Sequence, residues 1–384
     1  MFRRTDQTLA AHWWWTVDRQ LLGAIIALLA AGLILSFAGS PPVADRLGLN
    51  PFHFVYRHIL FLIPGIVVLV GVSLLTPRQI RRLAGTLLLV MLAMTAATLI
   101  IGEEVKGATR WIDLGVINLQ PSEFLKPAFA VVAAWLLSEA SRRPDMPTHL
   151  LCAGLLGVVV TLLVLQPDFG QTLLILVVWG ALLFAAGMSW LWIGALGIVG
   201  IGGIVMGYAT IPHVQSRIDR FLDPGAHDTF QTDRSIEAVV RGGWFGAGPG
   251  EGTVKRVLPD SHTDFVFAVA AEEFGIILCL VLVLLFAFVV LRGLARSMSL
   301  PDTFSRLAVL GLVTQVGLQA AINMSVNLNL VPAKGMTLPF VSYGGSSLIA
   351  LAITMGMVLG LTRKRPHARF SEEETDLRLI EVRP

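Results

Sequence analysis

The chain has 384 residues, of which 55% are hydrophobic and only 14% charged, with a formal net charge of +3. A soluble globule carries about a quarter charged residues, so this composition excludes a purely aqueous protein, a nucleic-acid enzyme, a secreted disulfide scaffold and an all-β barrel. A spanning helix takes about 20 mostly apolar residues; ten of them use roughly 200 positions and leave about 180 scattered through loops and tails. The expected class is an all-α polytopic membrane protein, one transmembrane domain over 1–384 with about ten transmembrane helices.

Residues 1–19 form the first predicted segment, in which Arg3, Arg4 and Arg19 flank Trp13, Trp14 and Trp15. Tryptophans favour the membrane–water interface. The apolar run that follows is too long for a signal-peptide core and reads as an uncleaved anchor. Apolar segments lie near 20–38, 54–75, 83–101, 122–140, 149–166, 170–187, 190–211, 264–291, 304–326 and 346–362. Cys152 and Cys279 sit within such runs as small buried residues and say nothing about redox compartment.

Basic residues orient the spans. Arg3, Arg4 and Arg19, then Arg78, Arg81 and Arg82, then Arg142 and Arg143, then Arg292, Arg296 and Arg306, and finally Arg363, Lys364, Arg365 and Arg369 share one side. The alternate connections carry chiefly Arg46, Lys106, Arg110 and Lys334. Short loops rich in Arg and Lys stay in the cytoplasm, so both termini are cytoplasmic, including the tail 363–384, and the span count is even.

One long outer loop, 212–263, then separates the seventh and eighth spans. It mixes charges with Phe221, Phe230, Trp244 and Phe245, and with glycines from Gly242 to Gly252. Loops of this length are usually functional or disordered. The mixture predicts a structured, re-entrant or lid-like element.

The densest polar cluster, Leu258-Pro259-Asp260-Ser261-His262-Thr263-Asp264-Phe265, stands where that loop enters the eighth span. Two readings fit Asp264: a helix cap, or a carboxylate base facing a cleft at headgroup level. Deeper in the span, Glu272 and Glu273 point about 100° apart, which allows a buried ion pair or a polar cavity. On the fourth span, Glu123 and Lys126 lie at i, i+3 after Pro121, as a local pair or as substrate contacts. Gln315, Gln319 and Asn323 repeat every four residues along the ninth span, as interhelical hydrogen-bonding groups or as a polar cavity wall. Lys334 precedes the hydroxyl- and glycine-rich turn Ser342-Tyr343-Gly344-Gly345-Ser346-Ser347. No metal-ligand spacing, phosphate loop or triad signature is present.

These stretches resemble the SEDS (shape, elongation, division and sporulation) membrane proteins over nearly the whole hydrophobic chain. The matching motifs are Gly107-Ala108-Thr109-Arg110-Trp111-Ile112 with Gln120-Pro121-Ser122-Glu123, Gln166-Pro167-Asp168-Phe169-Gly170-Gln171, and Arg217-Ile218 with Phe221-Leu222-Asp223-Pro224. Gly242-Gly243-Trp244-Phe245-Gly246, the 258–268 stretch, and the run from Lys334 to Ser347 complete the set. The Lys-Gly-Met-Thr-Leu-Pro run looks more like the division branch than the elongation branch. Asp260 stands where the family usually has Glu, and Arg234 where it usually has Gln.

The resemblance implies ten membrane helices and peptidoglycan glycosyltransferase activity on lipid II in the bacterial inner membrane, at the division septum. It implies a class B penicillin-binding protein transpeptidase as partner, along with other division membrane proteins, and no nucleic acid. It puts the catalytic carboxylate on Asp264. His262 would orient the local backbone or a water. Arg217, Arg220, Arg110, Lys126 and Lys334 are candidate cations for the diphosphate, with Glu123 and Ser342 as further substrate contacts. Glu272, Gln315 and Gln319 are candidate cavity residues. No cofactor is required by this reading, although the diphosphate chemistry is compatible with a divalent cation, Mg or Mn. A transporter of the same lipid, or the elongation member of the family, are the alternatives.

Overall fold

The computed structural model describes residues 8–105, 108–113, 115, 118–140, 143, 145–210, 212–223, 229–332 and 335–364. A short helix α1 (Leu9–Thr16) leads into α2 (Arg19–Arg46), α3 (His53–Ser73) and α4 (Pro77–Ile101). A small antiparallel sheet follows: β1 (Glu103–Val105), β2 (Ala108–Asp113) and β3 (Asn118–Leu119), in that order. Next come α5 (Pro121–Glu139), α6 (Thr148–Leu165), α7 (Phe169–Ala185) and α8 (Trp190–Thr210). The long loop holds α9 (Pro212–Leu222) and α10 (Phe230–Gly242), and the chain closes with α11 (Val266–Met298), α12 (Thr303–Asn327) and α13 (Gly345–Leu361).

All ten expected spans fall on helices, and the body is a multi-pass membrane bundle. Among the described residues, seven helices are long and apolar enough to cross a membrane: α2, α3, α4, α6, α8, α11 and α12. The apolar helices α7 and α13 are shorter, at 17 residues each. The tenth, α5, carries Glu123 and Lys126 within its 19 residues. The sheet between α4 and α5 is the one departure from an all-helical plan among the described residues.

Local chemistry sets the helix ends. Asp18 accepts from the Gln20 and Leu21 amides at the start of α2. Thr76 and Gln79 form a reciprocal capping box at α4, with Pro77 in the first turn. Asp168 and Asp302 cap α7 and α12. The two ends of the chain body meet on one side: the Lys364 amide donates to the Thr16 carbonyl at 3.1 Å. The contact fits an even number of crossings, which leaves both ends on one side, the side that the arginine distribution predicts to be cytoplasmic.

The core is centred on α5, where every residue from Pro121 to Ala134 is buried. The helices α4, α12, α6, α7 and α13 pack around it. By contrast, α8 buries none of its apolar window and faces outward.

The long loop re-enters the bundle through a break in α11. Gly275 has φ 79° and ψ 179°, a conformation open essentially to glycine alone. The break diverts four backbone groups. The amides of Ile276 and Ile277 donate to the carbonyls of Gly243 and Trp244, at 2.9 and 3.3 Å. The carbonyls of Glu272 and Glu273 accept the amides of Ala247 and Gly248, at 2.8 and 3.1 Å. Buried main-chain groups in a membrane need partners, and the loop supplies them. Gly242 and Gly246 allow this approach, since a Cβ on either would collide with the Ala271 or Glu273 carbonyl.

Candidate active site

The break divides α11 into two pieces with different surroundings. From Phe265 to Glu273 every residue is buried, so this half-helix, roughly 13 Å long at the helical rise, lies inside the protein. Asp264 stands just before its outer end.

The turn leading to it winds around one carbonyl. Asp260, at φ +53°, accepts from the amides of Thr263, Asp264 and Phe265 at 3.0–3.3 Å. Aspartate tolerates this left-handed backbone better than most residues. Arg46, from the outer end of α2, donates through Nη2 to the Leu258 carbonyl at 2.9 Å. The Tyr343 amide donates to the His262 carbonyl at 3.0 Å. The His262 ring lies in an aromatic cluster, 4.5 Å from Phe54 and 5.5 Å from Tyr343 between centroids. Burial raises the Tyr343 hydroxyl above its ordinary value of 10.0 despite Arg57 nearby, so the phenol stays protonated.

Asp264 itself is half-buried. Its main-chain carbonyl accepts two amides from α12, Asn323 Nδ2 and Asn327 Nδ2, each at 2.9 Å. Gly335 backs its carboxylate closely enough that a Cβ there would lie 3.3 Å from Oδ2.

A polar column runs inward from this point along α12. Asn323 Nδ2 also donates to the Met336 carbonyl at 2.6 Å. One turn deeper, Gln319 donates to the Thr337 carbonyl at 3.1 Å and accepts from Lys126 Nζ at 2.9 Å. Lys126 Nζ lies 2.9 and 3.0 Å from the two Glu123 oxygens, and Gln171 Nε2 donates to Glu123 at 2.7 Å. The Lys126 side chain is 1% exposed, so this charge pair is fully internal. Gln315, a further turn down, is buried, and its Oε1 has no partner among the described residues.

Several of the residues singled out in the sequence have partners within the protein. Arg110 is committed to the elbow between α6 and α7: it donates to the Gln166 and Pro167 carbonyls and lies 3.6 Å from Asp168. Burial pushes the Asp168 carboxyl up, with Arg110 opposing it. The Ser342 hydroxyl accepts the Leu338 amide at 2.8 Å and closes a turn. The Glu272 carboxylate accepts the amides of Thr253, Val254 and Lys255 at 2.6–2.9 Å. Glu273 pairs with Lys255, whose Nζ also donates to the Ala38 carbonyl at 3.0 Å. Lys334 and the side chains of Arg217 and Arg220 lie outside the described residues.

Two participants escaped the sequence reading. Asn327 continues the four-residue period of Gln315, Gln319 and Asn323, so its signal was present. Gln171 belongs to a quoted motif, yet nothing in its spacing points to Glu123.

Fold and site together define a multi-pass membrane protein with an acid at one end of a buried half-helix, its carbonyl held by two asparagines, and a buried polar column behind it. The chain belongs to the cell cycle protein family of FtsW, RodA and SpoVE, whose model matches residues 19–367. It is 48% identical to the probable peptidoglycan glycosyltransferase FtsW of Caulobacter vibrioides, over 96% of this chain and 94% of the relative. It is 35% identical to the protein of the same name from Alkalilimnicola ehrlichii, over 93% and 94%. Among solved structures, it matches a chain of a peptidoglycan synthase complex that coordinates polymerization and crosslinking, with TM-score 0.75 and 29% identity over 91% of this chain and 98% of the other. The rod shape determining protein RodA of Thermus thermophilus matches with TM-score 0.66 and 27% identity over 91% and 97%.

Proposed function

We propose that the chain is a peptidoglycan glycosyltransferase that polymerises lipid II at the outer face of the bacterial inner membrane, with Asp264 as general base. The observation that carries this reading is the fixing of Asp264 at the outer end of a fully buried half-helix, its own carbonyl gripped by Asn323 and Asn327. A base must sit within hydrogen-bond reach of the hydroxyl it deprotonates, and lipid II offers its sugars at the headgroup plane.

In the proposed step, Asp264 accepts the proton of the 4-hydroxyl of one GlcNAc. That oxygen forms a bond to C1 of the MurNAc at the lipid-linked end of the growing strand. The bond from C1 to the diphosphate oxygen breaks, and undecaprenyl diphosphate leaves with the electron pair. An α-linked donor gives a β-linked product by single displacement with inversion, without a covalent enzyme intermediate. Arg217, Arg220 and Lys334 are the proposed diphosphate cations, because Arg110 and Lys126 are committed to protein partners. Among the described residues no group of three or more His, Cys, Asp or Glu side chains could hold a metal ion, so no step is assigned to magnesium or manganese.

The curated relatives named FtsW support the division branch and a septal location. The structural likeness to a peptidoglycan synthase complex supports a transpeptidase partner of the class B penicillin-binding type. Sealed proteoliposomes separate this reading from that of a lipid carrier. Outward-facing lipid II should be converted to glycan strands without scrambling of fluorescent lipid II; scrambling without strand growth would reverse the assignment.

A further inference from the structure

A polar cavity of about 190 Å³ opens at the end of the bundle opposite Asp264, where the start of α2 meets the ends of α11 and α13. Asp18, Arg19, Arg292, Arg296, Thr362 and Lys364 line it. Among the described residues that line it, four cations face one carboxylate, an excess of three positive charges.

Asp18 has no capacity left to neutralise them. Its side chain already accepts the amides of Gln20 and Leu21 at 3.2 Å, together with bonds from Arg292 at 3.1 Å and Arg296 at 2.5 Å. Arg19 and Lys364 pair with no carboxylate among the described residues. A guanidinium has five N–H donors; Arg292 uses Nε and Nη2 on Asp18, and Arg296 uses Nε alone. The remaining donors form forks suited to phosphate oxygens.

The surroundings point to a lipid as the source of that phosphate. The Arg19 guanidinium lies 4.5 Å from the Trp15 ring and 5.4 Å from the Trp14 ring, and tryptophans mark headgroup depth. This end of the bundle is cytoplasmic by the arginine distribution. Basic pockets between membrane helices on that side suit anionic headgroups, and the leaflet itself is negatively charged.

We propose that this cavity binds the phosphodiester headgroup of an anionic phospholipid of the cytoplasmic leaflet. The lipid would bridge Arg19 on α2, Arg292 and Arg296 on α11, and Lys364 beyond α13, neutralising like charges that Asp18 alone leaves in excess.

The test uses the full-length protein, purified in detergent and titrated with phosphatidylglycerol, phosphatidylcholine or inorganic phosphate, read by native mass spectrometry and by thermal unfolding. Wild type should retain phosphatidylglycerol and unfold at higher temperature with it, and gain nothing from phosphatidylcholine or inorganic phosphate. The Arg19→Gln/Lys364→Gln variant leaves the Asp18 pairs intact and should lose about fivefold in phosphatidylglycerol affinity per cation removed. Arg292→Gln/Arg296→Gln exposes Asp18 to the loss of both partners, so the first variant decides if the second fails to fold. Wild-type phosphatidylglycerol retention by Arg19→Gln/Lys364→Gln overturns the proposal, as does equal retention of phosphatidylcholine. Equal protection by inorganic phosphate would make the site one for free anions and overturn the lipid assignment.

Discussion

Asn327 holds Asp264 from behind: its Nδ2 donates to the Asp264 carbonyl at 2.9 Å while its Oδ1 accepts the Ala268 amide at 3.0 Å. One side chain from α12 thereby ties the residue before the buried half-helix to the first turn within it. Asn323 adds a second donor to the same carbonyl. Two side chains of α12 thus hold the main chain of the acid.

Removing this grip should lower turnover more than substrate use. Asn327→Ala is expected to reduce kcat for lipid II polymerisation about tenfold, a barrier increase of about 1.4 kcal/mol. KM should change less than about twofold. The buried Ala268 amide left behind should cost about 1–3 kcal/mol of stability. Steady-state kinetics beside a thermal melt separates the two effects, and a rise in KM at constant kcat would assign Asn327 to binding instead.

The Glu123–Lys126 pair makes a prediction about stability. Lys126→Met leaves the Glu123 carboxylate buried with the Gln171 amide as its remaining side-chain hydrogen bond among the described residues, and breaking a buried pair from one side costs about 3–5 kcal/mol. Glu123→Gln/Lys126→Met removes both charges and should recover most of that loss. Unfolding of the two variants in detergent checks it; equal destabilisation would mean that the charge pair is not the unit that matters.

Backbone geometry around the break in α11 predicts sharp differences among glycines. Gly275→Ala and Gly246→Ala place a Cβ against loop or helix backbone at positive φ, so both should give little folded protein. Gly203→Ala, in α8, meets nothing within 4 Å and should leave the folded yield unchanged. Size-exclusion profiles of the three variants are the measurement.

Asp18 links the cytoplasmic end to pH. Burial works to raise its carboxyl, but hydrogen bonds from Arg296, Leu21 and Arg292 and the Arg296 charge outweigh it, so the folded value lies below the ordinary 3.8. A depressed carboxylate contributes stability above its unfolded value and loses it as pH falls through the folded one. Asp18→Asn should therefore lower the melting temperature at neutral pH. The gap to wild type should be constant down to about pH 5 and close below the ordinary value of 3.8. A gap that widens on acidification would contradict this origin.

Hydrophobic run length located the spans because lipid imposes it on each helix separately. Their ends were less legible. The first span, α2, runs to Arg46 rather than 38, carrying Pro41 and Pro42 within it, and α11 extends to Met298 rather than 291. The overrun of α11 brings Arg292 and Arg296 to Asp18, a contact more than 270 residues apart in sequence. The glycine-rich loop announced a structured element, but Gly275 within an apolar run gave no hint of a break. The break appears only when the Gly243–Gly248 backbone is brought alongside. Glu272 and Glu273 were readable as buried acids, whereas their partners at Thr253–Lys255 depend on that same docking. Asp264 was legible as a cap or as a base; the structure adds the two asparagines that hold it.

The most direct test is glycan synthesis from purified lipid II by the wild-type protein and by Asp264→Asn, each with the proposed class B penicillin-binding protein and with folding checked by thermal melt. Asparagine keeps the main-chain bonds to Asn323 and Asn327 and replaces the carboxylate that would take the proton. A folded variant slower by about 10²–10⁴-fold is the predicted result. A folded Asp264→Asn protein that makes strands at the wild-type rate would contradict it.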